Sequence, residues 1–288
     1  MSIRRFWSLF LLLLLLLTAS CKKVKVDENI GRINVENIIE KDGQLFLYRQ
    51  NSVVILRHGS SKVEFGGIQI ILPDEVLRDN DGIWHLPLRS VNYLSNIFKP
   101  WKLKVETVII DLGHGGSDPG AISVNQKIKE KDINLDLALK LGAALRSHGF
   151  NVLFTREDDR TVPLSKRGQM YEADLFISIH HNASKNINAS GAETYCLLSD
   201  DIQDNSRISP AFQIACEMQK FQSQASGNYG RGVKFAQFRV LKDAKSPAIL
   251  FETGFITHPD EEKRCVSAEY RQIMAEALAQ GIARAVSL

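Results

Sequence analysis

Val108-Ile109-Ile110-Asp111-Leu112-Gly113-His114-Gly115-Gly116 decides how this chain reads. A short β-branched run gives way to glycines, and a histidine stands where the run ends. Apolar runs of this length, with no alternation, are strands buried on both faces. The pattern recurs twice. Leu175 to Ile179 runs into His180-His181-Asn182, and Ala248 to Phe251 runs into Glu252-Thr253-Gly254. The opening run is expected as a strand over Thr107 to Asp111, and further strands at Asn151 to Thr155, Glu193 to Leu197 and Gln237 to Val240. Helical patterns fall between them, at Asp132 to His148, Leu164 to Tyr171, Ser209 to Phe221 and Ala268 to Val286. In the first of these Ile133, Leu137, Leu141 and Ala144 recur at helical spacing, and Gly149 stops it. Strands alternating with helices of this length make an α/β domain with crossover connections, here residues 105–288.

The polar residues at the strand ends are the candidates for chemistry, because open α/β sheets place their sites there. They are His114, His180 and Glu252, joined by Glu130 at the head of the first helical pattern. Two histidines and one carboxylate make a three-ligand zinc set with a position left for water. A further carboxylate supplies the proton carrier such a site needs. Taken singly, Glu130 also reads as an acid favourable to a helix N-terminus. Glu252 follows four apolar residues, where an unpartnered carboxylate costs several kcal/mol. His180 and His181 are neighbours on a strand and point to opposite faces, so only one of them enters a given site.

The ordered set of motifs resembles the zinc-dependent N-acetylmuramoyl-L-alanine amidases of the amidase_3 type. It comprises Val-Ile-Ile-Asp-x-Gly-His-Gly-Gly-x-Asp-x-Gly, Lys-Glu-Lys-Asp-x-Asn-Leu, Thr155-Arg156 with Asp158, Leu164 and Arg167, Ser-Ile-His-x-Asn-Ala, and Glu-Thr-Gly-Phe-Ile. The match runs through nearly all of residues 106 to 286. The resemblance implies zinc on His114, Glu130 and His180, with Glu252 as the catalytic base and acid. It implies a mixed, mostly parallel sheet with helices on both faces, of the phosphorylase/hydrolase-like kind. It implies peptidoglycan as substrate, cut at the amide between N-acetylmuramic acid and the L-alanine of the stem peptide. His180 holds the family's metal position. The chain departs from the family at Leu112, where proline is usual, and at His181, where alanine is usual. A zinc peptidase on the same fold and a non-catalytic wall-binding lipoprotein are the competing readings, and the four intact site residues argue against the second.

Residues 29–103 carry shorter alternating runs, at Gln44 to Arg49, Ser52 to Leu56, Val63 to Phe65 and Ile68 to Leu72, broken by Asp42-Gly43, His58-Gly59, Gly66-Gly67 and Asp81-Gly82. A helix is expected from Arg89 to Phe98. Trp84 to Val91 weakly resembles the strand-to-helix join of a copper-amine-oxidase N-terminal-like domain. The reading is a small β-rich accessory module.

Ahead of it, Arg4 and Arg5 precede the apolar run Leu9 to Leu17 and then Thr18-Ala19-Ser20-Cys21. That reads as a signal peptide over residues 1–20, since a span needs about 20 apolar residues, with a signal anchor that stays attached as the alternative. The small residues before Cys21 resemble a lipoprotein cleavage site, with Thr18 as a departure. Lipid on Cys21 would tether the chain to a membrane through a linker at residues 21–28, facing the cell wall in the periplasm. Lys22 after it looks like sorting to an outer membrane where two membranes are present.

Of 36 basic residues two are Arg4 and Arg5, so the remainder nearly balances 33 acidic ones. No tract of nucleic-acid type appears. Cys196, Cys216 and Cys265 lack metal-type spacing and read as buried apolar residues, with one disulfide permitted. Arg156 and Arg167 read as ion-pair partners of Asp158, Asp159 or Asp174, and Arg231 as a candidate substrate contact in a loop. Phe212, Ala215, Met218 and Phe221 form a packing face, so their helix is expected on the sheet rather than over the metal with Glu217 as a ligand.

Overall fold

The computed structural model describes residues 24–49, 52–98, 103–199, 205–227 and 230–287. The signal peptide expected at residues 1–20 and Cys21 lie outside the described residues. So does the lipid attachment expected at Cys21.

Strands β7 (Thr107–Leu112), β8 (Asn151–Phe154), β9 (Leu175–Asn182) and β12 (Ala248–Phe255) form the parallel centre, in the order β12-β9-β7-β8. All of β7 after its first residue is buried, and so are the first five residues of β9, which is why both read as mainly apolar runs without alternation, broken by Asp111 and Ser178. Strand β10 (Glu193–Leu197) joins β12 antiparallel, and β11 (Val233–Ala236) joins β10 parallel. The expected strand at Gln237 to Val240 is displaced. The strand ends at Ala236, and Arg239–Asp243 is a short helix.

Helix α3 (Glu130–Ser147) buries Ile133, Leu137, Leu141 and Leu145. Its first turn carries Glu130 and Asp132, favourable to the helix dipole. Helix α4 (Leu164–Arg167) is shorter than the pattern to Tyr171 suggested. Helix α5 (Asn205–Ser226) packs against α8 (Ala268–Val286) and β10, with Ile208, Phe212, Ala215 and Met218 buried. It therefore lies on the sheet, as its apolar spacing predicts. The short helix already noted at Arg239–Asp243 is α6. Helix α7 (Pro259–Val266) had no counterpart in the apolar pattern; it opens on Pro259 and is capped by His258, whose ring accepts from the Asp260 amide at 3.2 Å. Cys196, Cys216 and Cys265 are buried free thiols.

The N-terminal strands join the same sheet. Strands β1 (Asn37–Lys41), β2 (Gln44–Arg49), β3 (Ser52–Arg57), β4 (Ser60–Phe65) and β5 (Ile68–Arg78) form an antiparallel meander. Strand β5 then pairs with β11, Ile70 against Val233, so the described strands make a 12-stranded sheet. The junction is close: a Cβ on Gly232, at φ 86°, would stand 2.0 Å from the Gln69 carbonyl oxygen. Helix α2 (Leu88–Ile97) reinforces it. Tyr93 of that helix donates to the Ser199 carbonyl at 3.2 Å, and its ring lies 4.0 Å from that of Phe235. A single core cluster runs from Ile30 to Ile282.

The stretch read as linker is also bonded before its expected end. The Trp84 amide donates to the Lys25 carbonyl at 3.0 Å, which ties Lys25 to β6 (Trp84–His85). Asp27 caps α1 (Glu28–Gly31), accepting from the Ile30 amide at 2.8 Å.

Candidate metal centre

The site lies where β7, β9 and β12 end and α3 begins. His114 follows β7 in a glycine loop and adopts φ 62°, a left-handed conformation that is strained for a non-glycine residue. Two guanidinium groups hold that loop from below. Arg156 donates to the carbonyls of Leu112 (3.0 Å), Gly113 (3.1 Å) and Lys131 (2.9 Å). Arg167 donates to those of Leu112 (2.8 Å) and His114 (2.7 Å). Arg167 also pairs with the fully buried Asp111 at 2.8 Å. Asp111 in turn accepts from Thr155 and Ser178, both at 2.7 Å. The structural role expected for both arginines stands, but Asp111 was not among the expected partners. Of those, Asp174 accepts from the Glu106 and Thr107 amides, Asp159 pairs with Lys131, and Asp158 gives Arg156 its backbone carbonyl.

His114, Glu130 and His180 come together, each offering one ligand atom, with all of these atoms within 4.8 Å of one another. His114 Nε2 is 3.1 Å from Glu130 Oε2, and His180 Nδ1 is 2.9 Å from Glu130 Oε1. Zinc–ligand bonds of 2.0–2.1 Å give tetrahedral ligand–ligand edges of about 3.3 Å, so the donor set fits a tetrahedral ion with little adjustment. The far nitrogen of His114, Nδ1, is 2.8 Å from Asp118 Oδ2. A carboxylate behind a ligating imidazole fixes its tautomer and ring direction. Asp118 stands in the expected motif, but its role was not read from it. Gly113 is required by close approach: a Cβ there would stand 2.4 Å from His180 Cε1.

The electrostatics agree with a cation site. Burial opposes the charge on Glu130, yet hydrogen bonds and charge from His114 and His180 hold its carboxyl far below the usual range. Burial likewise opposes the His114 cation, but Glu130 and Asp118 push its pKa up to about 9.

Glu252 is the register partner of His180 on the adjacent strand. Its Oε2 is buried without a hydrogen-bond partner. Burial pushes its pKa up to about 7, against the pull of His180 and with the push of Glu130 and Glu193. Glu193 is the register partner of Glu252 on its other side. It is buried, and it accepts from Lys234 Nζ at 2.7 Å, from Arg231 and from the Tyr195 hydroxyl. Arg231, a candidate substrate contact in the sequence, is thus an ion-pair partner whose guanidinium lies 5.3 Å over the Phe255 ring. Glu193 gave no signal in the sequence, since an acid beginning a strand is unremarked in any pattern. His181 is turned away from the cleft and buried against α3; burial lowers its pKa to about 3, so the ring is neutral.

The Amidase_3 family model, described as N-acetylmuramoyl-L-alanine amidase, matches residues 108–284. YqiI of Bacillus subtilis, an uncharacterized protein, is 38% identical over 180 residues, 62% of this chain and 83% of its own length. The N-acetylmuramoyl-L-alanine amidase LytC of Bacillus subtilis is 34% identical over 182 residues, 61% of this chain but 34% of LytC. The crystal structure of an N-acetylmuramoyl-L-alanine amidase from Clostridium difficile 630 superposes with a TM-score of 0.57 at 34% identity, covering 62% of this chain and 95% of that one.

Proposed function

The chain belongs to the N-acetylmuramoyl-L-alanine amidase family, and by that membership it is an amide hydrolase acting on peptidoglycan; from this premise we propose that His114, Glu130 and His180 hold a catalytic zinc ion and that Glu252 carries the proton. The observation behind the reading is the meeting of three ligand atoms beside a buried carboxylate oxygen that has no partner. When bound, zinc supplies a Lewis acid that polarises the scissile carbonyl and acidifies water toward a pKa of about 7.

The chain's own groups do the rest. Glu252 takes the proton of the attacking water on its carboxylate and returns it to the amine nitrogen leaving with L-alanine. Burial raises the proton affinity of this carboxyl above that of a free one, which suits it to hold the proton between the two halves. Glu130 would lower the net charge of a bound ion, and Asp118 holds the His114 ring in place. Purified protein incubated with wall fragments should release stem peptides beginning with L-alanine, read by mass. Trimmed stems would support a peptidase instead, and unchanged fragments a binder. Metal analysis should find one zinc per chain, strongly reduced in His180→Ala.

Two further parts of the reading concern placement. Cell-wall amidase relatives imply action at the wall, and no helix among the described residues is long and apolar enough to cross a membrane. Lipid on Cys21 would supply attachment, in the periplasm and at the outer membrane where there are two membranes, and Cys21→Ser should lose it. Membrane fractionation of that variant through an uncleaved leader would overturn the lipid anchor. Residues 29–103 would position the enzyme on the wall or on a partner, leaving bond cleavage to residues 105–288.

A further inference from the structure

His181 lies on the opposite face of β9 from His180, 1% exposed, against α3. A histidine withdrawn from water needs partners for its ring nitrogens. Here Nδ1 has one, Asn134 Oδ1 at 2.7 Å, and Nε2 has none. The direction of that bond follows from the other end of the asparagine. Asn134 Nδ2 stands 3.1 Å from Glu130 Oε1 and 3.3 Å from the Gly113 carbonyl oxygen. An ionised carboxylate and a carbonyl only accept, so the amide nitrogen must face them and Oδ1 must face His181. Nδ1 of His181 therefore carries the proton and donates it, and Nε2 is a bare acceptor. A buried acceptor left without a partner costs about 1–3 kcal/mol, which a leucine of similar size would not incur. The retained cost points to a role for the Nδ1 donor.

We infer that His181 is a positioning residue for the metal centre: by donating to Asn134 it anchors the oxygen end of that amide, and the amide nitrogen aims the Glu130 carboxylate at the ion. The inference rests on the metal reading proposed above. Glu130 Oε1 is the oxygen at stake. It accepts from Asn134 Nδ2 and from the His181 backbone amide at 3.1 Å, and it is the oxygen that faces His180 Nδ1. Glu130 Oε2 is fixed independently by the Ala121 amide at 2.9 Å. Without a donor at position 181, Asn134 is held only through its nitrogen, by Glu130 and the Gly113 carbonyl, and its buried oxygen has no partner. The amide then shifts to relieve that oxygen, its nitrogen loosens from Glu130 Oε1, and the carboxylate loses part of its hold on the line to the ion.

The test is zinc affinity by competition with a chelator, on the full-length protein, with the visible spectrum of the cobalt-substituted form as second readout. His181→Leu fills the space and removes the donor. His181→Asn shortens the side chain but keeps an N–H where Nδ1 stands. Loss of a group bonded directly to a metal ligand, as Asn134 is to Glu130, typically costs about 10–100-fold in affinity; His181 acts one bond further out, so His181→Leu should lose about tenfold with altered cobalt bands, while His181→Asn should stay within about threefold of wild type. Wild-type zinc affinity in a folded His181→Leu protein would overturn the inference. So would a folded His181→Asn protein as weak as His181→Leu. If the wild-type chain took up no zinc in the same titration, the metal reading itself would fall, and this one with it.

Discussion

At the scale of single residues, Glu252 carries two separable predictions. Glu252→Gln keeps the size of the side chain and removes the base, so zinc content should hold while turnover falls by about 10²–10⁴-fold. The second concerns stability. The folded pKa of about 7 lies above the ordinary 4.5, so the fold favours the protonated carboxyl. That contribution is fully present below about pH 4.5 and is lost as pH rises through about 7. The metal-free Gln variant should therefore exceed the metal-free wild type at pH 8 by on the order of 3 kcal/mol, with the gap closing toward pH 4.5. Urea midpoints that coincide at pH 8 would contradict it. Gly113→Ala forces a Cβ to within 2.4 Å of the His180 ring. Such overpacking costs about 1–3 kcal/mol, enough to weaken zinc binding about 10–100-fold, read by chelator competition in a protein whose circular dichroism is unchanged. His114, His180 and Glu252 were legible as candidates because chemistry-bearing residues at the ends of apolar runs break the pattern around them; Glu130 was legible only within the set, since alone it reads as a helix N-terminal acid. Asp118, Glu193 and Asn134 were not, because acids and amides near strand and helix ends are ordinary, and only contact shows what they hold.

At the scale of elements, β7 depends on the buried pair of Asp111 and Arg167, which ties it to α4 and, through Arg167, to the loop bearing His114. Removing one member of such a pair leaves an uncompensated charge and costs about 3–5 kcal/mol. Arg167→Met should show that loss by urea unfolding. Adding Asp111→Asn should recover much of it, and a double variant no better than the single would refute the account. Strands Gln44–Arg49 and Glu193–Leu197 carry the bounds their patterns suggested. The strand expected at Gln237 to Val240 does not, because its position is set from outside. Pairing of Val233 with Ile70 and of Thr194 with Val233 starts β11 earlier. The chain then turns at Phe238 into a helix closed by an ion pair between Arg239 and Asp243. Local periodicity holds no record of a partner strand so far away in the chain.

At the scale of the whole molecule, the same blindness hides the pairing that puts the N-terminal strands in one sheet with β7, β9 and β12. Both portions have complete local patterns, and only β5 against β11 joins them. The solved relative from Clostridium difficile is covered over 95% of its length by 62% of this chain, so the catalytic portion folds there without the extra strands. A fragment from Val105 onward should accordingly hydrolyse soluble wall fragments. It should also melt lower and self-associate with rising concentration, because β11 becomes an exposed sheet edge. A fragment that sediments as a monomer with unchanged melting would show the junction to be idle. The bond from the Trp84 amide to Lys25 has a different consequence. Four residue steps separate Cys21 from Lys25, and a fully stretched chain covers at most about 14 Å in that distance. An enzyme lipidated at Cys21 would thus be on a short leash. Its body would rest at the membrane, and the glycan layers within its reach would be those nearest that surface, whatever the thickness of wall beyond.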